Sequence, residues 1–226
     1  MPVALRSFME RIVWFLTGNA GKLEEARQHF ASMGIEVRGL EVPNGTIVEP
    51  QATSLHDVAT SKIQQALPHL PPEGGMLMVE DAGLFVSALN GFPGVYSAYA
   101  HETIGCQGLV KLLSHLVSED PLQAKKLRAC NFEAVAALWD GEQILYGQGV
   151  CPGSISMELQ GEGGFGFDPI FIPSDLDEHG EPLSPETLGA LSTHGQTFAS
   201  VSMETKQAFS HRRRALDDLL RQLPRS

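Results

Sequence analysis

An α/β domain is what this sequence predicts, and three observations predict it. An apolar run, Ile12 to Leu16, gives way at once to a glycine-bearing turn and then to apolar residues at helical spacing, which is strand, turn and helix in succession. A second apolar run, Met76 to Val79, ends on two adjacent acids before a glycine, and α/β folds place their chemistry at the carboxyl ends of strands. The 226 residues, 42% hydrophobic and 19% charged, are globular in composition and sufficient for a substantial core without a disulfide or structural metal. No repeat and no linker divides the chain, so residues 1–226 are expected to form a single domain.

Taken in order, Ile12 to Leu16 reads as a buried strand, too short for a signal h-region or a membrane span. Thr17-Gly18-Asn19-Ala20-Gly21-Lys22 is the turn, and Leu23, Ala26 and Phe30 then mark one helical face until Gly34 closes it. Ile35 to Leu40 is a second strand, followed by a loop through Pro43, Asn44 and Gly45 to Glu49 and Pro50. A helix from about Ser54 to Leu67 turns Leu55, Val58, Ile63 and Ala66 inward. Met76 to Val79 is a short strand that delivers Glu80 and Asp81 at its end. Asn90 to Gly94 reads as a loop, Gly108 to Val117 as a helix, and Asn131 to Trp139 with Gln143 to Gly149 as a hairpin turning at Asp140-Gly141. Gly161 to Pro169 is a glycine-rich loop carrying Phe165 and Phe167. Residues 174–200, rich in Pro, Gly, Ser and Thr, are expected to be an irregular surface insertion or flap, and a last helix runs from about Met203 to Leu223.

The formal net charge of −11 argues against a DNA or RNA partner, because such binders gain affinity by covering phosphates with Lys and Arg. A single nucleotide remains compatible, since a local group of cations with a divalent metal can hold a triphosphate in an otherwise acidic protein. Cys106, Cys130 and Cys151 are odd in number and widely spaced, which predicts free thiols in a reducing cytoplasm.

Four constellations have chemical potential, each beside a plainer reading. The turn Thr17 to Lys22 offers backbone N–H groups at a helix start plus an ammonium, which suits phosphate, or it is a tight turn with a solvated Lys. It is not a Walker A loop, since Leu16 and Leu23 stand where Gly and Ser or Thr are required. Glu80 and Asp81 point to opposite faces if strand geometry persists, and with Glu49 nearby Asp81 would hold Mg²⁺ through hard oxygen ligands and orient or deprotonate water; a solvated turn is the alternative. Phe165 and Phe167, between Gly164 and Gly166, would stack on a purine or anchor the loop in the core. Lys206, His211 and Arg212 would meet a phosphate and a base, or form a solvated basic helix end that Arg213 and Arg214 extend.

In the order of the chain, Thr17-Gly-Asn-Ala-Gly-Lys22, Val79-Glu-Asp-Ala-Gly83, Gly91-Phe-Pro-Gly-Val-Tyr-Ser-Ala98, Gly163-Gly-Phe-Gly-Phe-Asp-Pro169 and Lys206-Gln-Ala-Phe-Ser-His-Arg212 together resemble the inosine triphosphate pyrophosphatase family. That resemblance implies a long twisted central sheet with helices around it, two lobes with the nucleotide in the cleft between them, and a homodimer. It implies Mg²⁺-dependent hydrolysis of noncanonical purine nucleoside triphosphates (ITP, dITP, XTP) to the monophosphate and pyrophosphate, by attack of water on the α-phosphorus. In its terms Asp81 is the catalytic acid-base residue and a metal ligand, with Glu49 and Glu80 as further metal ligands. Residues of the turn (Thr17, Gly18, Asn19, Ala20, Gly21 and Lys22) together with Lys62 would contact the triphosphate. Ala82 would lie against substrate, Phe165, Gly166, Phe167 and Asp168 would hold base and sugar, and Lys206, Ser210, His211 and Arg212 would complete the pocket. Donors aimed at a 6-oxo group would face another donor on adenine, a mismatch worth roughly 10⁴-fold in discrimination.

The sequence departs from the family pattern at Ala82, where a Ser or Thr is usual, at Phe167, often Tyr or Trp, and around Glu49, where Pro50 follows and Val58 replaces an Asn. Two rival readings remain: a Maf-like pyrophosphatase of other modified nucleotides, against which Ser210-His211-Arg212 argues, and a catalytically silent nucleotide-binding protein, against which Asp81 argues.

Overall fold

The computed structural model describes residues 12–185 and 187–223. Within them the chain passes through β1 (Ile12–Phe15), α1 (Ala20–Ala31), β2 (Glu36–Gly39), α2 (Leu55–Ala66), β3 (Met76–Val86), β4 (Pro93–Gly94), α3 (Ser97–Thr103), α4 (Gly105–Leu112), α5 (Pro121–Leu127), β5 (Ala129–Trp139), β6 (Ile144–Ile155), β7 (Phe171–Pro173), α6 (Met203–Ala208) and α7 (His211–Leu220). The strands form one mixed sheet in the order β2-β1-β3-β5-β6-β7, with β4 on β3. β1 runs parallel to β2 and β3, whereas β4 and β7 are antiparallel to their neighbours. The α/β class with a mixed sheet flanked by helices is therefore the one observed. Among the described residues no helix is long and apolar enough to cross a membrane.

The chain divides into two compact units, each built from non-contiguous segments. The first comprises residues 12–81, 134–149 and 212–223. Its core takes Val13 and Phe15 from β1, Phe30 from α1, Leu77 and Met78 from β3 and Leu219 from α7, all essentially buried. Asn19 caps α1, its carboxamide oxygen accepting from the Gly21 amide at 2.9 Å and the Lys22 amide at 3.2 Å. Ser54 caps α2 by accepting from the Asp57 amide at 3.1 Å, and the four residues expected to face inward, Leu55, Val58, Ile63 and Ala66, are all buried.

The second unit comprises residues 82–133, 150–185 and 187–211. Leu84, Val86, Leu109, Leu113, Phe167, Phe171, Phe198 and Phe209 share its apolar core. β4 approaches β3 so closely that a Cβ on Gly83 would lie 2.3 Å from the Gly94 carbonyl oxygen. Ser97 locks that approach: its hydroxyl accepts from the Leu84 amide at 2.8 Å and donates to the Gly94 carbonyl at 2.7 Å. Arg128 is buried, and its guanidinium donates to three backbone carbonyls, of Leu113 at 2.6 Å, Ser156 at 2.7 Å and Ile155 at 2.8 Å.

Several boundaries differ from expectation. β3 does not end at Val79 but continues to Val86, because Leu84 and Phe85 pair with β4. The helix expected over 108–117 is found earlier in the chain, as α4, which Gly105 opens at φ +62° directly after α3. α5, with Asp120 as its cap and Pro121 in its first turn, is too short and polar to show a periodic signal. The single last helix is two: the amides of Phe209 and Ser210 bond three residues back, to the carbonyls of Lys206 and Gln207, which ends α6 and seats Phe209 in the core. The described residues of 174–200 have almost no regular structure, yet Leu176 and Phe198 pin this stretch to the core.

Candidate active site

In the first unit, β3 presents Glu80 and Asp81 from successive positions, so a different cation meets each. The Lys22 ammonium at the start of α1 lies 2.7 Å from a Glu80 carboxylate oxygen and donates to the Glu80 carbonyl at 3.2 Å. Arg212, at the start of α7, approaches the other Glu80 oxygen at 3.5 Å. Lys62, from the middle of α2, places its ammonium 2.6 Å from Asp81 Oδ1 and bonds Glu49 Oε1 as well. Gln65, one turn further along α2, accepts from the Val48 amide at 2.8 Å and donates to the Val48 carbonyl at 2.9 Å.

Burial and these pairings together shift the titration of Asp81 and Lys62. Burial pushes the Asp81 carboxyl above its ordinary range, with the charges of Lys62 and Lys22 pulling against it. Burial also works to lower Lys62, but the carboxylates of Asp81 and Glu49 outweigh it and hold the ammonium above its usual range. Asp81 Oδ2 is buried with no hydrogen-bond partner. A buried carboxylate oxygen without a donor costs about 1–3 kcal/mol, so this atom is suited to a ligand or a cation. Mg²⁺ typically takes one or two carboxylates plus phosphate and water oxygens, and Asp81 with Glu49 meets that requirement. Glu80, the other expected metal ligand, is paired with Lys22 and Arg212, as Asp81 and Glu49 are with Lys62. Among the described residues no three His, Cys, Asp or Glu side chains converge as a metal cage.

The second unit separates the two rings of the glycine-rich loop. Phe167 is 3% exposed and belongs to the core, whereas Phe165 is 53% exposed. Phe167 is thus an anchor, and only Phe165 has a face to offer a ligand. The Lys206 ammonium stands 4.6 Å from the Phe165 ring centroid and 5.6 Å from that of Phe198. It also pairs with Asp168 Oδ2, which accepts from the Phe165 amide at 2.7 Å. Gly164 is required there: at φ +73°, a Cβ on it would lie 2.1 Å from Asp168 Oδ2. His211 is buried, its ring stacked on Phe132 with centroids 5.0 Å apart.

The remaining expected residues fall as follows. Gly18 and Asn19 lie in the turn and Ala20 and Gly21 open α1, all four exposed, with Thr17 Oγ1 accepting from the Asn19 amide at 3.1 Å. Ala82 is half-buried on β3, the Gly166 carbonyl accepts from the Cys106 thiol at 3.3 Å, and Ser210 sits between α6 and α7. Lys206 and His211 are on different helices, not on one helix as expected. Gln65, Ser97 and Phe198 were not anticipated. Gln65 was recoverable in principle, since it lies three residues after Lys62 and therefore on the same helical face.

The Ham1 family model matches residues 13–222 of this chain. A dITP/XTP pyrophosphatase of Thermococcus kodakarensis is 42% identical over 202 residues, covering 89% of this chain and 91% of that protein. One of Methanopyrus kandleri is 37% identical over 207 residues, covering 91% and 92%. Among solved structures, a HAM1 protein from Coxiella burnetii superposes with a TM-score of 0.68 at 25% identity, covering 92% of this chain and 95% of that one. A nucleoside-triphosphatase/dITP/XTP pyrophosphatase from Mycobacterium abscessus superposes at 0.65 with 30% identity, covering 92% and 98%.

Proposed function

This chain belongs to the Ham1 family, and from that premise we propose how its residues act on a nucleotide. It is a nucleoside-triphosphate pyrophosphatase that hydrolyses noncanonical purine nucleoside triphosphates to the monophosphate and pyrophosphate. Asp81 is assigned as the general base and, with Glu49, as a ligand of Mg²⁺; the buried, unpartnered Asp81 Oδ2 is the observation that carries this reading. Bound there, Mg²⁺ would neutralise triphosphate charge and lower the pKa of the attacking water. Water oxygen bonds to the α-phosphorus as the bond from that phosphorus to the bridging oxygen breaks, and Asp81 takes the water proton. Its raised pKa brings it nearer the range in which a general base works best.

Lys22 and Lys62 are assigned to the triphosphate. Glu80 holds Lys22 and Arg212 in place rather than ligating metal. In the second unit, Phe165 offers its face to the purine, with Lys206 and Asp168 fixing the loop that carries it. His211 and Arg212 are assigned to the base oxygen, and Ala82 contributes no hydroxyl. The exposed Phe92, Tyr96, Tyr99 and Ile104 of the second unit support a homodimer, and three buried free cysteines support a reducing, cytoplasmic setting.

The test is pyrophosphate release, with and without Mg²⁺, from ITP, XTP, dITP, GTP, ATP, dUTP and dTTP. Metal-dependent turnover selective for ITP, dITP and XTP is expected, and Asp81→Asn should lower kcat by roughly three orders of magnitude or more with the fold intact. Near-normal turnover by that variant would overturn the role of Asp81.

A further inference from the structure

Glu49 is an exposed residue in a segment without regular structure, its side chain 64% accessible. Little packing fixes it, and an unfixed side chain must lose rotamer and backbone freedom each time it engages a cation. Yet the residue before it is gripped on both of its polar backbone atoms. The Gln65 carboxamide accepts from Val48 N and donates to Val48 O, as a neighbouring strand would. Gln65 is itself held, its nitrogen donating to Ser61 Oγ at 3.0 Å one turn back.

α2 is a suitable base for this grip. Ser54 caps it, and Val58, Ala59, Ile63 and Ala66 bury one face of it. The same helix carries Lys62, to which the Glu49 carboxylate is paired. One rigid element therefore fixes both the backbone beside Glu49 and the cation that receives its carboxylate.

We propose that Gln65 is a positioning residue that sets Glu49 for the divalent cation. This rests on the assignment of Glu49 as a metal ligand. Glutamine suits the task because one planar group supplies both a donor and an acceptor; a glutamate would keep the bond from Val48 N and lose the one to Val48 O.

The test measures Mn²⁺ affinity directly, from the electron paramagnetic resonance signal of the free ion, for the wild type, Glu49→Gln, Gln65→Leu and the double variant, with no turnover required. Gln65→Leu is expected to weaken binding about tenfold, as loss of a group supporting a metal ligand commonly does. The double variant should bind no more weakly than Glu49→Gln alone, since the support has no purpose once the ligand is gone. In turnover, Gln65→Leu should raise the half-saturating Mg²⁺ concentration while kcat at saturating metal stays near wild type, a split that general destabilisation does not produce. Gln65→Glu, which keeps one bond of the pair, should fall between wild type and Gln65→Leu and serves if the leucine variant folds poorly. If Glu49→Gln weakens binding and both Gln65 variants match wild type, the positioning role is wrong and the assignment of Glu49 stands. If Glu49→Gln binds Mn²⁺ as wild type does, the assignment fails and this proposal with it.

Discussion

Removing the Phe165 ring and removing the Phe167 ring are different experiments, although the residues are two apart on one loop. Phe165→Ala strips an exposed face and should raise KM for ITP with the melting temperature little changed. Phe167→Ala removes a core anchor and should cost ~3–5 kcal/mol, read as a lowered unfolding midpoint. Equal effects of the two on stability would contradict the division. Alternating Gly and Phe residues mark a loop that approaches something closely, but which ring packs inward depends on partners such as Phe171 and Phe198, distant in sequence or beyond a turn. The acids were easier to anticipate, since Glu80 and Asp81 end a buried apolar run and strand geometry sends them apart. Their cations were not, because a salt bridge joining residues 22, 80 and 212 leaves no local mark. At this scale Cys106 also has a clear fate: burial, with the Asp168 charge adding to it, pushes its thiol up to about 11. Native protein at neutral pH should therefore resist alkylation at Cys106 and label only when unfolded.

At the scale of elements, two of the sequence blocks that carry the family resemblance include residues that shape the backbone. Gly83 admits the Gly94 carbonyl, and Ser97 ties Leu84 to Gly94 across β3 and β4. Ser97→Ala removes the acceptor for one amide and the donor to one carbonyl in a partly buried setting, and should lower stability by about 1–3 kcal/mol. Denaturant unfolding would show it, and an unchanged midpoint would mean that water replaces the hydroxyl without loss. Long periodic elements were legible: α1 and α2 stand within a few residues of expectation, and so does β1, because their caps and apolar spacing are local. Misplaced boundaries cluster where the deciding contact is non-local. β3 outruns its apolar stretch because β4 extends it, and α6 stops because Phe209 is drawn into the core.

For the molecule as a whole, the α/β class followed from alternating strand and helix signals, whereas the strand order did not, since β3 lies beside β1 and β5 for reasons that no short window contains. The acidic net charge sets off the few cations that matter, and those described near Glu80 and Asp81 are each committed to a carboxylate rather than spread over a surface. Arg128 belongs at this scale because one side chain ties the end of α4 to the end of β6. Breaking it strands backbone carbonyls. All three partners are main-chain atoms present at every residue type, so no second substitution at those positions can compensate for its loss. Tolerance of change at position 128 is therefore set by main-chain geometry alone, and a substitution there should lower the unfolding midpoint although Arg128 performs no chemistry.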